Sequence, residues 1–359
     1  MMARDDRFTG LGGNAFAAGV EQQSRAPEAT RITWMDTLRG AAICLLILWR
    51  ARSIPRRFGF EMPMWLFLLN ETFLPWRMPT LMFLSGLLLA GSLRKSRSVY
   101  YVGKIRNLLW PYLLWAALYL ALYPGAGESI SSPAAWFGAG YLWFILYLFL
   151  YYVVVRAPWW VVLPFFTIAA MFIPHPSPQK ICYFAVFLFA GHYGRTALPR
   201  LLGASRTSLA VLCVIAVGFT ATSLALSATA GRHAFEFAPL SIPFVLALIA
   251  VSIRLTHAVQ VRASDTPPMR WLSWVGRNSV VFYLSHVPVM LVVCAASERA
   301  SSDLGIWVVV LCGVAALLGG IPLALTQRHA VVSWLFRAPH LPRLETRRSR
   351  VRAVAGGSS

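Results

Sequence analysis

Leu304-Gly-Ile-Trp-Val-Val-Val-Leu-Cys-Gly-Val-Ala-Ala-Leu-Leu-Gly-Gly-Ile-Pro-Leu-Ala-Leu-Thr326 contains no charged side chain. About 20 apolar residues in helical form cross the hydrocarbon of a bilayer, so this stretch reads as a transmembrane helix. Runs of similar character recur over almost the whole chain, at about 33–52, 73–91, 107–124, 138–155, 158–173, 181–194, 207–227, 238–254 and 278–296. The fold class this implies is all-α, a polytopic transmembrane bundle of about ten spanning helices. Segments 158–173 and 181–194 are short for a crossing. Segment 207–227 is rich in Ala, Ser and Thr, a composition that suits close helix packing.

Composition agrees. Of 359 residues 58% are hydrophobic and 13% charged, whereas soluble domains carry about 25% charge. The net charge of +20 does not point to nucleic acid, because the basic residues sit in short loops and tails between apolar runs. It follows the rule that Lys and Arg stay on the cytoplasmic side. With both termini cytoplasmic, the inside segments hold 25 of the 33 basic residues. A cluster breaks the rule: Arg50, Arg52, Arg56, Arg57 and Arg77 fall in or beside the first external loop, while the external segment near 125–137 has none. Basic residues at such a mouth suit an anionic acceptor or a lipid phosphate, or are ordinary loop charge.

Residues 1–30 lack the apolar stretch of a signal peptide and read as a disordered cytoplasmic tail. Residues 31–327 form one membrane domain. Residues 328–359 form a basic cytoplasmic tail suited to anionic lipid headgroups. The expected location is the plasma or inner membrane. Cys44, Cys182, Cys213, Cys294 and Cys312 lie singly in apolar runs and suggest neither disulfides nor a metal site.

Polar residues inside these runs are the candidates for chemistry, since ionisable groups at membrane depth are costly. In Trp34-Met-Asp36-Thr-Leu-Arg39-Gly40, Asp36 and Arg39 share a helix face and can pair. Arg39 and Arg50 are three turns apart on one face, about 16 Å along the axis. The second run, Asn70-Glu71-Thr-Phe-Leu-Pro75-Trp-Arg77-Met-Pro79, continues to Ser85-Gly86. Its prolines bend the helix and free carbonyls, and Glu71 and Arg77 read either as site residues or as an interfacial ion pair. Lys104 and Arg106 precede Trp110-Pro111-Tyr112 and suit a phosphate-bearing donor. His286, one turn from Tyr283, is the histidine inside a run. His192, His233, His257, His329 and His340 fall in loops or at ends and read as structural.

Asp36-Thr-Leu-Arg39-Gly40, Arg77-Met-Pro79 with Phe83-Leu-Ser85-Gly86, Lys104-x-Arg106, Leu142-Trp143-Phe144, and Gly276-Arg-Asn278-Ser279 leading to Tyr283-Leu-Ser-His286 occur in order between about residues 32 and 326. In this the chain resembles acyltransferase family 3, integral membrane O-acyltransferases. The resemblance implies transfer of an acyl group, often acetyl, from acyl-CoA to a hydroxyl of a carbohydrate of the cell envelope, a lipid or a small metabolite, with no bound cofactor and no metal. It implies that Lys104 and Arg106 hold the donor, that Arg39 with Asp36 orients the thioester, and that Arg50, Glu71 and Arg77 line the acceptor end. Trp143 and Phe144 would wall a pocket for the acyl group or sugar.

The family's first-helix motif is an arginine followed, after ten residues, by a histidine that is the presumed base. Arg39 fills the first position and Arg50 stands at the second. Arginine does not deprotonate in a protein. Three readings stay open: a silent homologue with a transport or export role, a different base such as Glu71 or His286, or electrostatic action by Arg50 on an oxyanion.

Overall fold

The computed structural model describes residues 33–122, 131–156, 158–172, 176–231, 233–300 and 305–339. The expected tail 1–30, residues 125–130 of the segment 125–137 and the end of the basic tail lie outside them. We number the main helices α1 Thr33–Arg57, α2 Met64–Leu87, α3 Arg97–Leu122, α4 Trp143–Val154, α5 Trp159–Phe172, α6 Pro176–Tyr193, α7 Arg206–Ala230, α8 Ile242–Ala263, α9 Pro267–Arg277, α10 Ser279–Ala300, α11 Ile306–Thr326 and α12 Ala330–Phe336. No strand occurs among the described residues.

Each expected segment coincides with a helix, yet six are long and apolar enough to cross a membrane: Met64–Leu93, Arg97–Leu122, Arg206–Ala230, Pro239–Ala263, Ser279–Ala300 and Ile306–Thr326. Among the described residues six spans are thus shown by length and composition, and the expected count of about ten goes beyond them. Helix α4 has 12 residues and rises about 18 Å, short of the ~30 Å hydrocarbon core. Helix α5 has 14. Helix α1 is long enough but carries Asp36, Arg39, Arg50 and Arg52.

The two most buried spans are those that carry Glu71 with Arg77, and His286. Two thirds of the apolar window of Met64–Leu93 is inside the protein, and 61% of that of Ser279–Ala300. Helix α2 runs unbroken through Pro75 and Pro79; the prolines leave the Glu71 and Pro75 carbonyls without helical partners but do not end the helix. It packs against α6, α7 and α8. Helix α7 lies at the rim. Its small-residue composition suits close helix packing, and it packs against α8 and α2 with Ala216, Phe219, Ser223 and Ser227 buried.

Two crossings are set by glycine. A Cβ on Gly40 would sit 2.0 Å from the Leu272 carbonyl oxygen, and one on Gly276 1.7 Å from that of Asp36, so α1 and α9 meet backbone to backbone. Gly86 and Gly191 do the same for α2 and α6, at 2.0 Å from Leu188 O and 2.1 Å from Phe83 O. Such approach yields dispersion contacts where no hydrophobic effect drives association. Near the first crossing Thr37 bonds Ser273 (2.6 Å) and Gln260 (2.9 Å). Cys294 and Cys312, which read as isolated in sequence, face each other across α10 and α11 as free thiols with Sγ atoms 3.5 Å apart.

Before α4 the chain is irregular and only partly inside the protein, with Ala135, Ala139, Tyr141 and Leu142 buried and Phe137 and Gly140 exposed. Tyr112 holds it: its hydroxyl donates to the Trp136 carbonyl and accepts from the Gly138 amide at 2.9 Å. Gly140 has φ +51°, and a Cβ there would strike the Tyr119 ring. Irregular backbone survives at membrane depth only where protein or a cavity covers it; here it borders the site.

Candidate active site

Two chambers open inside the bundle. The first is lined among others by Arg39, Ser85, Lys104, Asn107, Phe144 and Tyr283. The second is lined among others by Arg50, Glu71, Arg77, Trp143, Tyr283 and His286. Tyr283 borders both. The unbroken α1 carries Arg39 into one and Arg50 into the other, and adjacent Trp143 and Phe144 are divided in the same way.

In the Arg39 chamber, Lys104 Nζ lies 3.8 Å from the centre of the Tyr152 ring, a cation–π contact that holds the ammonium at the chamber wall. Arg106 goes elsewhere: its Nε and Nη2 donate to the Ala338 carbonyl at 3.2 and 2.7 Å, tying the chain beyond α12 to α3. The two residues flank the start of a π-helical turn, Ile105–Leu109, inside α3, a distortion of the kind often found at functional sites. The Ser85 hydroxyl donates to the Leu81 carbonyl at 2.7 Å. Asp36 is buried at the glycine crossing of α1 and α9.

In the Arg50 chamber, Arg50 and Arg77 both rest on the Trp49 ring, their guanidinium carbons 4.3 and 4.6 Å from its centre. The sequence alternative of a Glu71–Arg77 ion pair is corrected. Glu71 Oε1 instead accepts from His233 Nδ1 at 2.7 Å, because the loop after α7 folds back over the chamber. His233, read from sequence as structural, is thus a chamber residue. Lys180 and Glu236 also enter the lining unannounced, with Lys180 Nζ 3.7 Å from the Trp143 ring centre. Lys180 follows Pro176-Ser-Pro-Gln directly before the expected run 181–194, so the hydropathy pattern does not mark it.

His286 is fully buried, and its Nδ1 lies 3.1 Å from the Phe282 carbonyl. A carbonyl can only accept, so Nδ1 carries the proton and Nε2 keeps its lone pair. Nε2 has no protein partner. The Tyr141 ring meets His286 edge-on at 5.2 Å, and Tyr141 and Tyr283 are tied reciprocally, Tyr141 to the Leu284 carbonyl (2.6 Å) and Tyr283 to the Tyr141 carbonyl. These bonds clamp the irregular segment to α10 and fix the wall between the chambers.

The helical bundle thus holds a chamber lined by cations on each side of a shared aromatic wall. The family's sequence profile, an acyltransferase domain, matches residues 32–325; the chain belongs to acyltransferase family 3 and is a membrane acyltransferase. No curated protein and no solved structure matches it.

Proposed function

We propose that the protein transfers an acyl group, acetyl in the simplest case, from acyl-CoA to a hydroxyl of a carbohydrate, lipid or small metabolite at the plasma or inner membrane. The observation that carries this reading is Tyr283 standing in the walls of both chambers, which gives donor and acceptor separate entrances and a common boundary. The asymmetry of Lys and Arg along the chain supports a cytoplasmic Asp36 end, where acyl-CoA is found.

Lys104 and Arg39 hold the donor, with the thioester directed toward Tyr283. The acceptor hydroxyl loses its proton to His286 Nε2 as its oxygen attacks the thioester carbonyl; the carbon–oxygen bond forms, the carbon–sulfur bond breaks, and the proton passes to the departing thiolate. A positioned base contributes about 10²–10⁴-fold. Arg50 stands where the family resemblance carries histidine, so His286 replaces that base, and Arg50 contributes charge.

The test is free-thiol release from acetyl-CoA by membranes carrying the wild-type chain, Arg39→Ala or His286→Gln, with sugar and lipid acceptors. Turnover lost in both variants is the expected result. Movement of an acylated substrate across vesicles without thiol release would instead establish the alternative, a catalytically silent transport or export protein, which the arginine at position 50 favours.

A further inference from the structure

The charges of the Arg50 chamber do not balance. Its lining has three cations, Arg50, Arg77 and Lys180, against Glu71 and Glu236, and Glu71 is engaged by His233. Arg50 is 9% exposed and Arg77 1%. Among the described residues neither makes a hydrogen bond or lies within 4.0 Å of a carboxylate oxygen. Arg50 Nε and Arg77 Nη1 are buried donors without acceptors, although both lie in the lining of an open chamber.

Buried charges are normally paired, because desolvation is costly without compensation. Trp49 holds both guanidinium planes by their faces, which fixes their orientation and leaves the edge donors unused. Two like charges sharing one ring in a partly desolvated site also repel. A ligand oxyanion relieves both, since a guanidinium edge matches carboxylate or phosphate oxygens in two-point hydrogen bonding.

We propose that Arg50 and Arg77 form an oxyanion subsite, so that the acyl acceptor carries a carboxylate or a phosphate beside the hydroxyl that is acylated. The subsite follows from the chamber's charges; its assignment to the acceptor rests on the acyltransferase reading. On this account the arginine at position 50 exchanges a titratable group for a permanent cation that recognises substrate.

The experiment is a binding titration on the purified full-length chain, read by intrinsic tryptophan fluorescence and by thermal protection. One arm compares glucuronate with glucose. The other compares phosphatidylcholine nanodiscs with and without phosphatidate. In at least one arm the anionic probe should bind roughly tenfold or more tightly than its neutral counterpart. That preference should vanish in Arg50→Gln, survive in part in Arg50→Lys, and leave acetyl-CoA binding unchanged in both. The arm that responds identifies a soluble acidic acceptor or a lipid phosphate. Equal binding of charged and neutral probes in both arms, or a preference that persists in Arg50→Gln, overturns the proposal. Thiol release separates the two readings: anion preference without turnover on any acceptor removes the acyltransferase function and keeps the subsite, while turnover on neutral acceptors without anion preference does the reverse.

Discussion

Nδ1 of His233 lies 2.7 Å from Oε1 of Glu71, a bond between residues 162 apart in the chain. It latches the loop between α7 and α8 onto α2, and it makes the mouth of the Arg50 chamber sensitive to pH. The Glu71 bond raises the His233 pKa above the ordinary 6.5, with burial opposing, Glu236 adding to the rise and Arg77 subtracting from it.

A histidine with a raised folded-state pKa stabilises most where it is charged in both states. The contribution is complete below pH 6.5 and is lost as pH climbs through the raised value. Thermal midpoints of the solubilised protein should therefore decline as pH rises above about 6.5, by an amount on the order of 1 kcal/mol for this partly exposed pair. His233→Gln should flatten the decline. An unchanged slope in that variant would dissociate the latch from the pH response.

Replacing His286 by Gln keeps volume and polarity but not the proton-accepting lone pair at Nε2. Acyl transfer should fall by about 10²–10⁴-fold with acetyl-CoA binding intact. Glu71→Gln should cost far less, since its carboxylate already serves His233. Comparable losses in the two variants, measured as kcat, would move the base to Glu71.

Lys104→Met should raise KM for acyl-CoA by about tenfold, equivalent to about 1.4 kcal/mol, with little change in KM for the acceptor. Arg106→Met should leave both constants alone and free the chain at Ala338, which limited proteolysis near Arg337 would reveal. A donor defect in Arg106→Met would restore that residue to the donor site.

Gly40→Ala and Gly276→Ala each place a Cβ within 2.0 Å of a backbone oxygen, which the helices can accommodate only by separating. A loss of about 1–3 kcal/mol or more, seen as lower thermal midpoints and poor monodisperse yield, is expected. Gly91→Ala is the control, because nothing lies within 4 Å of its added methyl.

Much of this protein is legible in its sequence because it depends on local pattern. Apolar runs near 20 residues fix the membrane class, and ordered motifs from Asp36 to His286 carry the family. Helical periodicity correctly puts Arg39 and Arg50 on one face. Lys104 and Arg106 diverge at the π-helical turn Ile105–Leu109, which neither motif nor periodicity marks. Hydropathy marks α4 and α5 as apolar, while their lengths, 12 and 14 residues, appear only in the structure.

What only the tertiary structure decides is which distant residues meet. The His233–Glu71 latch, the Arg50–Trp49–Arg77 stack, the Cys294–Cys312 pair and the place of Tyr283 between two chambers each join different helices or a helix and a loop. The sequence by itself sets which residues are polar, which are apolar and which share a helix face. Periodicity stops at the end of each helix, and it is the packing of α2 and α10 at the centre, with the close glycine crossings around them, that turns those polar residues into one site.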